Sequence, residues 1–270
     1  MTVCNSAPLK VAGFLSEWAL AEISTSLTAS EIVLAHSWRD VNVLLQNPAM
    51  QAFVFDLYAD SSLDTQAALR ILKQHPCVPS IALIRDSPYN VEALVELSRN
   101  GLWEVVCASD PSADLARVIR EQVAKQTALS ILRSFEPALG HVDFRLSAVL
   151  NQLFQYPSSF RSVADLCRAA GISQRRVSTL LHDRHLNSAK KFLNATRAVW
   201  AYSLLRHTTY PAREIASRLG WESYSQFAWM ARFVFNARPS ALRKVEQPNE
   251  VLMHVLERFC KSAPRRSADE

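Results

Sequence analysis

Four side chains in the second half of the chain, Arg175, Ser178, Thr179 and His182, could hydrogen-bond one partner together. Between them Val177, Leu180 and Leu181 recur at i, i+3 and i+4, the spacing of one face of a helix. At about 100° per residue, Arg175, Thr179 and His182 fall opposite those aliphatic residues, with Ser178 at their flank. Such a helix packs by one side and offers donors and acceptors on the other, as reading base edges in a major groove requires. The stretch 223–235 repeats the arrangement. Phe227, Met230 and Ala231 form its inner face, and Ser225, Trp229 and Arg232 lie opposite, with Tyr224 and Ala228 at the edges. Arg175 is the strongest candidate for sequence choice, because a guanidinium can bond guanine bidentately.

The elements that must position these residues come as a repeated pattern. Residues 163–172 and 212–221 share the order acid, aliphatic, small, polar, apolar, glycine, apolar, at an offset of 49 residues (220 minus 171). Each copy predicts a short helix that stops on Gly171 or Gly220, where glycine takes the left-handed conformation without steric cost, and a second helix follows at once. Only five glycines occur in the chain, so two at matched positions carry information. This is the outline of two helix-turn-helix units. Ser173 is placed to cap the first reading helix, and Pro211 opens the second support helix. A helix over 144–156, broken at Pro157, precedes the first unit. The stretch 187–208 reads as one long helix joining the two units. At some 20 residues it would span about 30 Å, near the roughly 34 Å between successive major grooves on one side of DNA. Lys190, Lys191, Arg197, Arg213 and Arg232 are candidate phosphate contacts.

Charge supports this placement. Residues 145–245 hold 16 Lys+Arg against 4 Asp+Glu, a net of +12, while residues 1–144 hold 10 against 16, a net of −6. The basic half fits a polyanion such as double-stranded DNA, and the acidic half fits a separate control function. No apolar run approaches the 18 or so residues of a membrane helix, and residues 1–6 lack the basic start of a secretory signal. The five cysteines are scattered without metal or redox spacing, as in a reduced, cytoplasmic protein. No constellation calls for a metal or cofactor, and no nucleophile–base pair marks an enzyme.

The first half alternates short apolar runs with amphipathic stretches. Strands are predicted over 10–15, 31–35, 52–57, 80–84 and 103–107, and helices over 17–27, 41–46, 63–73, 91–100 and 112–125. Five such units in series imply a flavodoxin-like parallel sheet covered on both faces. The helical pattern then runs on to residue 135 through Leu129, Leu132 and Phe135, beyond what a sheet can cover. Those turns either pair with a second copy of the chain, giving a homodimer through helix 112–135, or pack on the next domain.

This order resembles the receiver domain of bacterial response regulators, and the resemblance implies a phosphorylated aspartate at the end of the third strand, where Asp56 stands. The rest of that site departs from the pattern. Only Glu17 lies near the place of the magnesium-binding acids, Arg85-Asp86-Ser87 follows the fourth strand, and Asp110 replaces the lysine expected before Pro111. The expectation is a degenerate receiver that works without phosphorylation, in dimerisation or in sensing a small molecule or protein. Arg85, Asp86, Asp56 and Asp110 would converge at the carboxyl ends of the strands.

Residues 144–245 resemble the DNA-binding domain of the AraC/XylS family of bacterial transcription regulators. The segment from Gly220-Trp221 through Phe227 to Arg238-Pro239-Ser240-Ala241-Leu242-Arg243 keeps the family spacing, and the linking helix keeps Arg197, Ala201 and Leu204-Leu205. The resemblance implies base-reading positions at Arg175, Ser178, Thr179, Tyr224, Ser225 and Trp229, and activation of a promoter through RNA polymerase. Departures are Leu186 and Asn236 where glycines are usual, Trp221 for phenylalanine, and Trp229 where an arginine often faces DNA. Trp229 either reads thymine methyls or marks a unit that binds only the backbone. The expected organisation is a receiver-like domain over 8–125, a helical extension and linker over 126–143, the DNA-binding domain over 144–245, and a short helix and disordered tail over 246–270. Two other readings stay open: an adaptor whose basic half binds DNA without choosing sites, and a response regulator phosphorylated at Asp56.

Overall fold

A computed structural model describes residues 9–24, 27–28, 31–57, 64–85, 91–107, 114–134, 143–183, 186–244 and Val255. The chain divides into two compact units, Ala7–Gln126 and Thr127–Glu270.

In the first unit β1 (Val11–Phe14), β2 (Ile32–Leu34), β3 (Ala52–Asp56), β4 (Ser80–Ile84) and β5 (Glu104–Cys107) form one parallel sheet in the order β2-β1-β3-β4-β5. That is the flavodoxin-like order, and each strand lies within a residue or two of its expected span. Alternation along β3 divides the core. Phe53 and Phe55 face one cluster with Val41, Leu45, Leu69, Leu72 and Leu97, from α2 (Trp38–Leu45), α3 (Thr65–Gln74) and α4 (Val91–Arg99). Ala52 and Val54 face the other, with Ala19 and Ile23 from α1 (Glu17–Ser24) and Leu115, Ile119 and Val123 from α5 (Leu115–Arg133). Trp38 packs its ring 4.6 Å from that of Phe14, which closes the first cluster over the sheet.

α2 begins three residues before its expected span, and α5 runs on to Arg133 as the extended helical pattern predicts, with the boundary between the units falling inside it, after Gln126. Ala128, Leu129, Ile131 and Leu132 in its last turns are buried within the single chain. Pairing of this helix with a second copy needed those side chains on the surface, so the homodimer expected through 112–135 loses its apolar seam. The opposite alternative holds: these turns belong to the helical unit, where Thr127 Oγ1 and His207 Nε2 lie 3.0 Å apart.

The helical unit continues with α6 (Phe144–Gln155), a 3₁₀ turn at Pro157–Ser159, α7 (Val163–Ala170), α8 (Gln174–Asp183), α9 (Ala189–His207), α10 (Ala212–Arg218), α11 (Tyr224–Phe235) and α12 (Pro239–Leu242). All of the others pack against α9. The reason lies in its composition: Phe192, Leu193, Ala198, Val199, Ala201, Tyr202, Leu204 and Leu205 bury it on nearly every side. A helix apolar all round becomes the centre of its domain. The linker at 136–142, the residues Asp86, Ser87, Asp110 and Pro111, and the tail beyond 244 lie outside the described residues, apart from a buried, helical Val255.

Candidate nucleic-acid interface

The two reading helices are set by local chemistry at their starts. Ser162 caps α7 through a reciprocal box: its hydroxyl accepts the Asp165 N–H, and the Asp165 carboxylate accepts the Ser162 N–H at 2.9 Å. Hydrogen bonds from the Ser162 hydroxyl and backbone, with the Arg168 charge beside it, hold the Asp165 carboxyl below its ordinary range. Gly171 then turns the chain at φ 64°, and the Ser173 hydroxyl accepts the Arg176 N–H to start α8. In the second unit Gly220 has φ 80°, and Ser223 caps α11 by accepting the Gln226 N–H. Asn236 ends α11 in the left-handed conformation at φ 52°, doing the work of the glycine usual at that place. Leu186 does not need that conformation. Among described residues Asn236 is the only non-glycine with positive φ, and the buried Leu186 joins the core while its N–H donates to the Leu181 carbonyl.

On α8 the division of faces is clean. Val177 and Leu181 are buried, and Arg175, Arg176, Ser178, Thr179 and His182 are exposed. The Thr179 hydroxyl donates to the Arg175 carbonyl one turn back, leaving its methyl and an acceptor lone pair outward. His182 Nδ1 lies 3.9 Å from the Asp183 carboxylate, beyond hydrogen-bond reach, with both side chains in solvent.

On α11 Phe227, Met230 and Ala231 are buried, while Tyr224, Ser225, Trp229 and Arg232 are exposed. The Tyr224 ring meets Phe227 edge-on at 6.3 Å, and Trp229 stacks on Phe233 at 5.4 Å. Arg213 of α10 and Glu222 share an open cleft with Ser223, Tyr224 and Ser225 at the start of α11. Lys190 and Lys191 are exposed at the start of α9.

Arg197 is the exception among the expected phosphate contacts. It is buried, with 4% of its surface exposed, and its guanidinium donates to the Phe160 carbonyl in the turn before α7. A Cβ added at Gly220 would sit 3.6 Å from the same guanidinium. Burial lowers the Arg197 pKa, and the nearby Asp165 charge offsets this. One side chain from the middle of α9 therefore touches the turns of both units. It is a strut, not a DNA contact.

Sequence reasoning also left Arg243 without a role. Its guanidinium donates to the carbonyls of Leu205 (3.0 Å), Thr208 (2.9 Å) and Tyr210, the last turn of α9 and the chain just beyond it. Arg206 returns a bond to the Arg243 carbonyl at 3.2 Å. Arg243 closes the C-terminal end of α9, where helix carbonyls lack intrahelical partners. The signal was the position of an arginine at the close of the segment from Gly220 to Arg243; its target could not be read without the fold.

In the first unit Asp56 is 1% exposed and accepts a hydrogen bond from Ser16 Oγ at 2.5 Å, the residue that follows β1 and its turn. Arg85 is exposed and lies 4.2 Å over the Trp18 ring. No helix among the described residues is long and apolar enough to cross a membrane.

No curated protein matches the chain. Among solved structures it is similar to full-length FixJ from B. japonicum, at 13% identity and a TM-score of 0.37, covering 78% of this chain and 97% of that one. A family model described as a helix-turn-helix domain matches residues 166–245, from the middle of α7 to just past α12. With two capped helices on one buried linking helix, residues 166–245 of this chain are a helix-turn-helix domain.

Proposed function

We propose that the protein is a sequence-selective transcription regulator of the AraC/XylS kind, in which Arg175, Ser178, Thr179 and His182 read one stretch of major groove and Tyr224, Ser225, Trp229 and Arg232 read another. The observation that carries the reading is the pair of faces: each helix buries an apolar side against α9 and its neighbours and turns the side with the candidate base-reading residues to solvent. At 1.5 Å per residue the 19 residues of α9 run about 28 Å, of the order that one monomer spanning adjacent grooves requires. Lys190, Lys191 and Arg213 supply phosphate contacts around these faces. The family resemblance favours activation through contact with RNA polymerase.

The receiver-like unit regulates without phosphorylation. Asp56 is enclosed and engaged by a serine where a receiver has its metal acids, and of the residues Phe14-Leu15-Ser16-Glu17 after the first strand only Glu17 is acidic. A small-molecule or protein signal, or self-association through surfaces other than α5, would then set its effect.

Titration of duplex binding against salt tests the DNA reading. Each phosphate contact contributes a log–log slope of about −0.9, so the three contacts of Lys190, Lys191 and Arg213 alone give a slope of about −2.7, and any further contact steepens it. Selection from random duplexes is expected to return a consensus. On that site Arg175→Ala loses roughly 1–3 kcal/mol, and on unrelated DNA it loses far less. Binding without a consensus would favour an adaptor that holds DNA without choosing sites, and an affinity indifferent to salt would end the proposal.

A further inference from the structure

We infer that Trp229, braced by Phe233, reads thymine methyl groups, so that the second head recognises bases by apolar contact where the first uses hydrogen bonds; the inference rests on the DNA-binding reading above. Trp229 leaves 60% of its surface in solvent in the middle of a helix in which Phe227, Met230, Val234 and Phe235 are buried. Its ring lies nearly parallel to that of Phe233 one turn on, at 12° and 5.4 Å between centroids. The half-buried Phe233 anchors this stack. The contact with Phe233 restricts the indole, so less rotamer freedom is lost when a partner covers it.

The chemistry of that partner follows from the surroundings. Ser225 and Arg232, on the same exposed face, are neutral and cationic, and α11 contains no acidic residue. The segment 145–245 carries 16 basic against 4 acidic residues, so its complement is a polyanion. An apolar plate set in such a face gains only where the polyanion presents apolar surface. On the major-groove edge of B-DNA the apolar group is the C5-methyl of thymine, the rest being donors and acceptors. The first reading helix, by contrast, has no Phe, Tyr or Trp in Gln174–Asp183. The two heads thus divide the task by chemistry.

The test uses the full chain and its preferred duplex from random selection. Each thymidine is replaced in turn by deoxyuridine, which removes the methyl and leaves base pairing and the O4 acceptor intact. At one or two positions the substitution is expected to weaken wild-type binding about fourfold, the factor for uncovering one methyl-sized group. Trp229→Ala is expected to bind the thymidine and deoxyuridine duplexes alike, and Trp229→Phe to keep part of the discrimination. Because the side chain is exposed, both variants should retain the wild-type melting temperature. A wild type that binds its preferred site but ignores every deoxyuridine overturns this inference alone. A Trp229→Ala protein that still discriminates, or binds every duplex as wild type does, also overturns it, the second result pointing to a protein partner for the aromatic pair. Failure to select any preferred site overturns the DNA-reading proposal and this inference together.

Discussion

Two arginines show how the same residue type takes opposite roles in one domain. Arg175 is exposed on α8, whereas Arg197 is buried between the turn before α7 and the turn at Gly220. Charge and spacing put both among the DNA contacts, and only burial separates them. The consequence is measurable because a strut and a phosphate contact fail differently. Arg197→Ala leaves the Phe160 carbonyl without its charged donor and opens a cavity, and charge-assisted hydrogen bonds of this kind are worth about 1.5–3 kcal/mol. Denaturant unfolding should show a loss of at least that order. Arg197→Met fills most of the space and should lose less. Under conditions where the protein stays folded, both variants should keep the wild-type salt slope. Lys191→Ala, by contrast, should leave stability alone and reduce the slope by about 0.9. A reduced slope for Arg197→Met would return that residue to the phosphate contacts.

At the level of elements, most of the fold was legible. Strands β1, β3 and β4 announce themselves by the nearly continuous apolar runs at 11–14, 52–55 and 81–84, because a parallel sheet is buried on both faces and needs no alternation. Both helix-turn-helix units could be read from Gly171, Gly220 and the cap at Ser173, which act within a few residues, whereas Ser162 and Ser223 prove to be caps rather than first helical residues. Less was legible where distant segments decide. The true extent of α5 depends on which unit covers its last turns, and the roles of Arg197 and Arg243 depend on carbonyls more than 30 residues away. The local devices can be tested by pH. The Asp165 pKa is depressed in the folded state by the bonds of its capping box. The stability that the box contributes is therefore fully present above the carboxyl's unfolded value and is lost as pH falls through the lower, folded value. A melting series on wild type and Asp165→Asn should show the wild type ahead at neutral pH and the two converging in acid. A constant difference would mean that ionisation of Asp165 contributes nothing to α7.

Across the whole molecule the charge is segregated by unit. Residues 1–126 carry 9 basic and 14 acidic side chains, a net of −5, and residues 127–270 carry 21 and 11, a net of +10. DNA attraction therefore belongs to the helical unit, and any control must reach it from a unit that the polyanion repels. In a receiver that control begins at an aspartate open to a phosphoryl donor and a magnesium ion, which must neutralise the transferring group. Asp56 has the position but is enclosed, with Ser16 bonded to its carboxylate. Incubation with acetyl phosphate and magnesium should then leave the intact mass unchanged and the DNA affinity with it. Asp56→Asn, which keeps an acceptor for Ser16 and removes the phosphoacceptor, should bind the selected duplex as tightly as wild type. An added phosphoryl mass that vanishes in Asp56→Asn would make the protein a phosphorylated response regulator, and the enclosed carboxylate would have to open to accept it. An unchanged mass together with a loss of DNA affinity in Asp56→Asn would instead show that the buried carboxylate holds the sheet in the form that the helical unit requires.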